Sequence, residues 1–240
     1  RDQENTVIVT ANDYVADIAA ECPRVWFGAS IHPYRPDAVD ELERLLERGA
    51  CLVKWIPGLQ NIEPESSICI PFYKALARLR VPLLTHAGIE HVASPFSYTL
   101  NDPRRLETAL RCGVTVIAAH CGAPLFLHDR SYFRHWARLV REHDNLYGDV
   151  SAFVTMPRGY CLARILRDSG LLERVVYGSD FPVPMLPTQL VFWTGVRSAL
   201  ALRRVTNPFD QTYLTLQRAG LPEEAFSLAG KLLRVPEAKN

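Results

Sequence analysis

The chain carries almost no surplus charge: 27 Lys and Arg stand against 26 Asp and Glu in 240 residues, a formal net charge of +1. That balance excludes a protein that tracks a nucleic-acid backbone, which needs clustered basic side chains. The basic residues alternate with acids instead, as in ELERLLERG (41–49), the pattern of a solvated helix face. No apolar run approaches the ~20 residues of a membrane-spanning helix. The opening RDQENTVIVT lacks the basic, apolar and small-residue succession of a secretory leader. The six cysteines, at 22, 51, 69, 112, 121 and 161, form no CxxC pair. Thiols dispersed in this way read as reduced, which points to the cytoplasm. No GxSxG, P-loop or GxGxxG follows a strand-like segment, which speaks against serine hydrolases, kinases and dehydrogenases. The expectation is a soluble protein that handles a small molecule, with neither nucleic acid nor membrane as partner.

What is present is alternation. The apolar runs VWFGASI (25–31), CLVKWI (51–56), VPLLT (81–85), VTVIAA (114–119), NLYGDVS (145–151) and VVYGS (175–179) read as strands. Helical patterns separate them at 37–49, 71–80, 102–112, 131–143 and 160–170, with Asp37 as an N-cap and Gly49 and Gly113 as closing glycines. Three further helical patterns fill residues 185–240. Strands that alternate with helices imply parallel βαβ units, and near-continuous apolar runs imply strands covered on both faces. The loop PGLQNIEPESSIC (57–69) is the longest irregular stretch before residue 90 and follows a strand, where a functional loop belongs.

Several of these strands end in a polar residue that burial does not require: VPLLTHAG, VTVIAAHCG and VVYGSDFP close on His86, His120 and Asp180. Marking the polar residue at each strand end gives His32, Lys54, His86, His120, Asp149 and Asp180, in steps of 22, 32, 34, 29 and 31 residues. A (β/α)8 barrel repeats every ~31 residues and gathers its strand ends on one rim. The expected fold is therefore a (β/α)8 TIM barrel, one domain over residues 1–240. Only six strands can be counted, with TVIVT (6–10) as a seventh, so the chain is expected to lack the first one or two βα units. An incomplete barrel exposes strand edges, which predicts association into a homo-oligomer.

His86 after VPLLT, His120 after VTVIAA and GSDFP after VVY, in that order and at that spacing, resemble the amidohydrolase superfamily, and within it the amidohydrolase-2 type. The likeness extends to SIHPYRPDAVDELERL, VKWIP and the closing NPFD, PEEAF and AGKLL. It implies a metal-dependent hydrolase of a small carboxylate, amide, ester or lactone, with zinc or a similar divalent ion at the barrel mouth. The superfamily also contains nonoxidative decarboxylases, which are the alternative. By the resemblance His86 is a metal-ligating histidine, and His120 is a second ligand or a catalytic acid–base. Asp180 binds the metal and takes a proton from the attacking water. Lys54 stands where some members carry a carboxylated bridging lysine.

Neutral imidazole and carboxylate suit such an ion, which activates water for an adjacent base. The superfamily's His-x-His on the first strand is missing, since no two histidines here are separated by one residue. The expectation is that truncation removed it; a catalytically inactive barrel is the remaining alternative. His32 and Asp149 read more simply as turn caps, Glu90 and His91 as solvated loop residues that could touch substrate, and Cys121 as packing. His128, His135 and His143 read as surface or packing residues.

Overall fold

The computed structural model describes residues 9–91, 93, 96–183, 186–233 and 235. Six strands run through them: β1 (Phe27–Ala29), β2 (Ala50–Trp55), β3 (Leu83–His86), β4 (Val116–Ala119), β5 (Leu146–Asp149) and β6 (Val175–Val176). Each pairs in parallel with the next, in the unbroken order β1-β2-β3-β4-β5-β6. A doubly wound sheet reverses its order at a switch point. An order without reversal is that of a TIM-barrel wall, and it sets every strand's C-terminal end on the same side. Most of the candidate strand at 6–10 lies outside the described residues.

The helices that return the chain bury one face each. Phe133–Glu142 buries Phe133, Trp136, Ala137, Leu139 and Val140, the 3.6-residue stripe of an amphipathic helix. Ala38–Glu47 buries Ala38, Leu42 and Leu45. The largest core side chains are aromatic, and three of them hydrogen-bond through their polar ends. The Trp55 indole N–H donates to the Ile31 carbonyl at 2.7 Å, and its ring stacks on Phe72 with centroids 5.7 Å apart. The Tyr73 hydroxyl donates to the Pro64 carbonyl at 2.8 Å, and the Trp136 indole to that of Tyr147 at 3.2 Å. Buried aromatics of this kind combine large apolar area with a hydrogen bond that fixes their orientation.

Local sequence signals meet tertiary structure with mixed results. Gly49 adopts φ 96° and Gly113 φ 83°, the left-handed closures their positions call for. Asp102 caps the turn after it by accepting from the Arg104 amide at 3.0 Å. Asp37 sits at the N-cap but makes no side-chain cap bond; Arg35 claims its carboxylate at 2.8 and 2.6 Å. The stretch 57–69 contains a helical turn, Pro57–Gln60, and a 3-10 turn, Ser67–Cys69. The pattern at 189–205 is split by Gly195, whose φ of 80° and ψ of 153° no helix accommodates. A helix at Asn12–Glu21 gives little warning in sequence because it buries only Ala16. Its Asn12 exchanges two hydrogen bonds with the Ser30 backbone, at 3.0 and 2.9 Å, just beyond β1.

Gly148 in β5 marks the tightest approach in the sheet. A Cβ there would lie 2.5 Å from Cys121 Sγ and 2.8 Å from the Trp136 ring. Overpacking of this kind costs about 1–3 kcal/mol. Gly148→Ala should lower the urea midpoint accordingly. Gly230→Ala, in the helix Glu223–Leu232 with nothing within 4 Å of its Cβ, should raise stability by about 0.5–1 kcal/mol. Denaturation of the two variants side by side checks both signs.

Candidate active site

His86 is the last residue of β3, Asp149 the last of β5, and His120 follows β4 directly. Lys54 is the penultimate residue of β2, and Asp180 lies in the turn after β6. Parallel order therefore delivers all five to one rim. The His86 and His120 rings are 5.1 Å apart, edge to face. His120 Nε2 lies 3.9 Å from Asp180 Oδ2. The Lys54 ammonium faces the carboxylates of Asp149, Asp180 and Glu90.

The backbone at these ends is unusual. His120, Cys121, Ala152 and Asp180 hold φ of 61°, 51°, 53° and 60°, in the left-handed region that side chains with a Cβ disfavour. Such conformations persist only where surrounding bonds impose them, and they concentrate at functional sites. Here the agent is visible for His120. Asp149 Oδ1 accepts from the His120 amide at 2.8 Å, from the Ser151 amide at 3.0 Å, and from the Ser151 hydroxyl.

Each imidazole is backed by acceptors on one nitrogen. His86 Nδ1 lies 3.3 Å from Glu90 Oε2. His120 Nδ1 lies 2.8 Å from the Ser151 hydroxyl, whose own proton goes to Asp149, and 3.1 Å from the Ser151 carbonyl. His86 Nδ1 thus faces a carboxylate, while His120 Nδ1 meets the Ser151 oxygens on one side and the Arg158 guanidinium on the other. Burial depresses both imidazole pKa values, that of His86 to about 4, and the nearby charges of Lys54 and Arg158 add to the effect. Burial also raises the Asp180 carboxyl, against the pull of Arg158.

Among the described residues, only three buried side-chain polar atoms have no partner: Thr85 Oγ1, His86 Nε2 and Arg158 Nε. All three belong to this region, and buried polar atoms without partners are rare enough to need a cause. The donor types, two neutral imidazoles and a carboxylate, are those a divalent ion takes. Metal-ligating histidines also characteristically donate their other N–H to an acceptor behind them. The three are not drawn into a cage, however. Among the described residues no group of three or more His, Cys, Asp and Glu side chains could hold a metal ion as it stands.

Arg158 is the participant that sequence reading misses. It is 3% exposed, and its NH1 lies 3.1 Å from the Ser151 carbonyl and 3.0 Å from His120 Nδ1. The helix that carries it starts at Met156, not at 160. Thr155 followed by Met-Pro in TMPRG is the start signal that would have placed Arg158 in a first turn beside the strand ends. His32, by contrast, is a structural tie. Its Nδ1 accepts from the Tyr34 amide at 3.2 Å and its Nε2 donates to the Gln60 carbonyl at 2.9 Å. His91 bonds Asp129, joining the loops after β3 and β4. Cys121 donates to the Asp149 carbonyl at 3.2 Å, and burial pushes its thiol pKa well up, which leaves it unreactive.

The depressed His86 pKa has a stability consequence. Between pH 6.5 and about 4 the unfolded chain binds a proton that the folded imidazole refuses. Stability of the metal-free protein should therefore fall as pH drops through that window, by about 1.4 kcal/mol per pH unit from this group. Asp180 acts in the opposite sense, so the readout is a difference. Urea denaturation from pH 7 to 5 should show a shallower loss for His86→Gln than for the unsubstituted chain.

The fold recurs in solved structures. An uncharacterized TIM-barrel protein from Bordetella bronchiseptica is 18% identical over 88% of this chain and 73% of its own, with a TM-score of 0.61. A probable 2-pyrone-4,6-dicarboxylic acid hydrolase from Acinetobacter baumannii, with citric acid bound, is 18% identical over 92% and 79%, with a TM-score of 0.55. The 5-carboxyvanillate decarboxylase of Sphingomonas paucimobilis is 14% identical over 94% and 72%, also with a TM-score of 0.55. No curated protein sequence matches the chain. The amidohydrolase family model matches residues 1–212, most of the chain. With its TIM-barrel sheet order and its strand-end residues, this chain belongs to the amidohydrolase family of the amidohydrolase-2 type.

Proposed function

We propose that the protein is a metal-dependent hydrolase that opens an ester, amide or lactone bond in a small carboxylate. The family consists of enzymes, hydrolases and decarboxylases among them, that are generally metal-dependent. The observation that carries the proposal is the buried, unpartnered Nε2 of His86, whose ring lies 5.1 Å from that of His120, itself 3.9 Å from Asp180. His86, His120 and Asp180 would hold the ion, zinc or one of similar preference. A divalent ion there brings the pKa of water down toward ~7 and polarises a carbonyl oxygen.

The remaining roles fall to the chain. Asp180, whose carboxyl is raised by burial, accepts the proton of the attacking water and returns it to the leaving group. Glu90 and Ser151 stand behind the Nδ1 atoms of the two imidazole rings and orient them. Lys54 and Arg158 set positive charge beside Asp180, where a substrate carboxylate would be oriented. Lys54 answers three carboxylates already, so it serves here as a counter-charge to the substrate and not as a bridge between two ions.

Decarboxylation is the second reading, favoured by one feature beside Asp180. The Phe181 and Phe209 rings lie 5.0 Å apart on the wall of a cavity of about 180 Å3. A flat aromatic acid would pack there, with His120 or Asp180 delivering the proton that replaces CO2.

Metal analysis of the purified protein tests both. The expected result is a bound divalent ion that is lost in His86→Ala and Asp180→Ala. Asp180→Ala should also reduce kcat by about 10²–10⁴-fold. Protein without metal, or with metal indifferent to both substitutions, defeats the proposal and leaves the inactive barrel. Release of CO2 from aromatic carboxylic acids, without hydrolysis of lactones or esters, selects the second reading.

A further inference from the structure

Residues 181–209 contain no Asp, Glu or Lys, the longest run of the chain without an acidic side chain. Aromatic and arginine residues stand there instead, among them Phe192, Trp193, Arg197, Arg203 and Arg204. That is the composition of a surface that meets another protein, where Tyr, Trp, Phe and Arg are enriched and Lys, Glu and Asp depleted. The fold leaves much of this segment uncovered. The helical turn Val191–Thr194 buries none of its residues, and its Phe192 is 80% exposed. The helix Val196–Leu202 packs beside that turn and buries only Ala199 and Leu202. Its Val196 and Leu200 lie one turn apart, 65% and 53% exposed. Tyr160 of the helix Met156–Ile165, 60% exposed, adjoins them through Trp193. Ring centroids are 5.8 Å apart from Tyr160 to Trp193 and 6.4 Å from Trp193 to Phe192.

Single exposed apolar side chains need no explanation, but a contiguous apolar face on a monomer rarely exceeds a few hundred Å2. A whole aromatic side chain presents ~150–250 Å2, so Phe192 and Tyr160 expose about 300 Å2 between them. Val196, Leu200 and the exposed Arg197, Arg203 and Arg204 bring the face near the ~800 Å2 that each partner gives to a standard interface. We propose that this face is the contact of a two-fold dimer, covered by the same face of a second copy of the chain. An apolar surface is complementary to itself, and two-fold pairing closes on one partner with nothing left exposed to recruit a third. Open strand edges also predict association, but they place it at β1, beside Trp26, on a different element.

Sedimentation equilibrium of the full chain over a range of concentrations tests this. A reversible monomer–dimer equilibrium is expected. It should tighten as salt is raised, because screening relieves the repulsion between the arginines of the two copies. Phe192→Ala should weaken it at least about thirtyfold, the loss of a central aromatic anchor. Leu200→Ser should weaken it about tenfold. Both side chains are exposed in the single chain, so the far-UV circular dichroism of the variants should not change. Trp26→Ser, at the β1 edge, should leave the equilibrium as it is. A monomer at every concentration overturns the proposal, as does a dimer indifferent to both Phe192→Ala and Leu200→Ser. Loss of the dimer in Trp26→Ser alone would place the contact at the strand edge and overturn it equally. So would a monomer that attaches to phosphatidylserine vesicles through Phe192 and lets go as salt is raised, which assigns the face to a membrane. None of these outcomes depends on whether the strand-end site binds metal.

Discussion

One carboxylate organises the rim. Asp149 accepts from the amides of His120 and Ser151 and from the Ser151 hydroxyl, so it ties the end of β4 to the end of β5. A buried carboxylate without such donors would be strongly destabilising. With them it holds His120 and Cys121 in a left-handed turn that neither would choose. That turn brings the imidazole to Ser151, oriented by the same carboxylate, whose hydroxyl lies 2.8 Å from Nδ1. The placement of His120 is thus a consequence of a residue that need touch no substrate.

The same dependence explains what could be read from the sequence. His86, His120 and Asp180 were legible because each interrupts an apolar run at a regular interval, and parallel strands of regular spacing must end side by side. Their convergence needs only backbone topology. Asp149 was legible as a polar strand end, but its task was not, because its partners are amides, which a sequence does not distinguish. Arg158 was hidden for the opposite reason. An arginine in MPRGYCLARI looks like a solvated helix residue, and only tertiary packing reveals that it lies under the His120 turn. His32 is the converse: a conspicuous strand-end histidine whose two nitrogens are both consumed in tying a loop.

Backbone strain separates the rim from the rest of the fold more sharply than residue type does. Among the described residues, six other than glycine have positive φ. Two of them, Asn61 and Arg80, close helices as left-handed C-caps, an ordinary use of that conformation. The other four, His120, Cys121, Ala152 and Asp180, follow β4, β5 and β6. At about 1–2 kcal/mol apiece, they represent a sizeable share of a domain's net stability, which is only ~5–15 kcal/mol. Helix capping explains the first pair; only the geometry of the strand ends explains the second group.

Charge at the rim then limits what can bind there. Asp149, Asp180 and Glu90 face Lys54, and Arg158 faces the first two of them. With both imidazoles neutral, three carboxylates against two cations leave a deficit of one positive charge in a space largely screened from water. A carboxylate substrate entering that space alone would deepen the deficit. A divalent cation between the imidazoles and Asp180 would reverse it to an excess of one, the charge that a monocarboxylate neutralises. Ion and substrate are therefore coupled through the balance of charge alone: the anion gains affinity from the cation, and reciprocally the cation from the anion. The unpartnered Nε2 of His86 fits that order of events, since no side chain among the described residues has already engaged it.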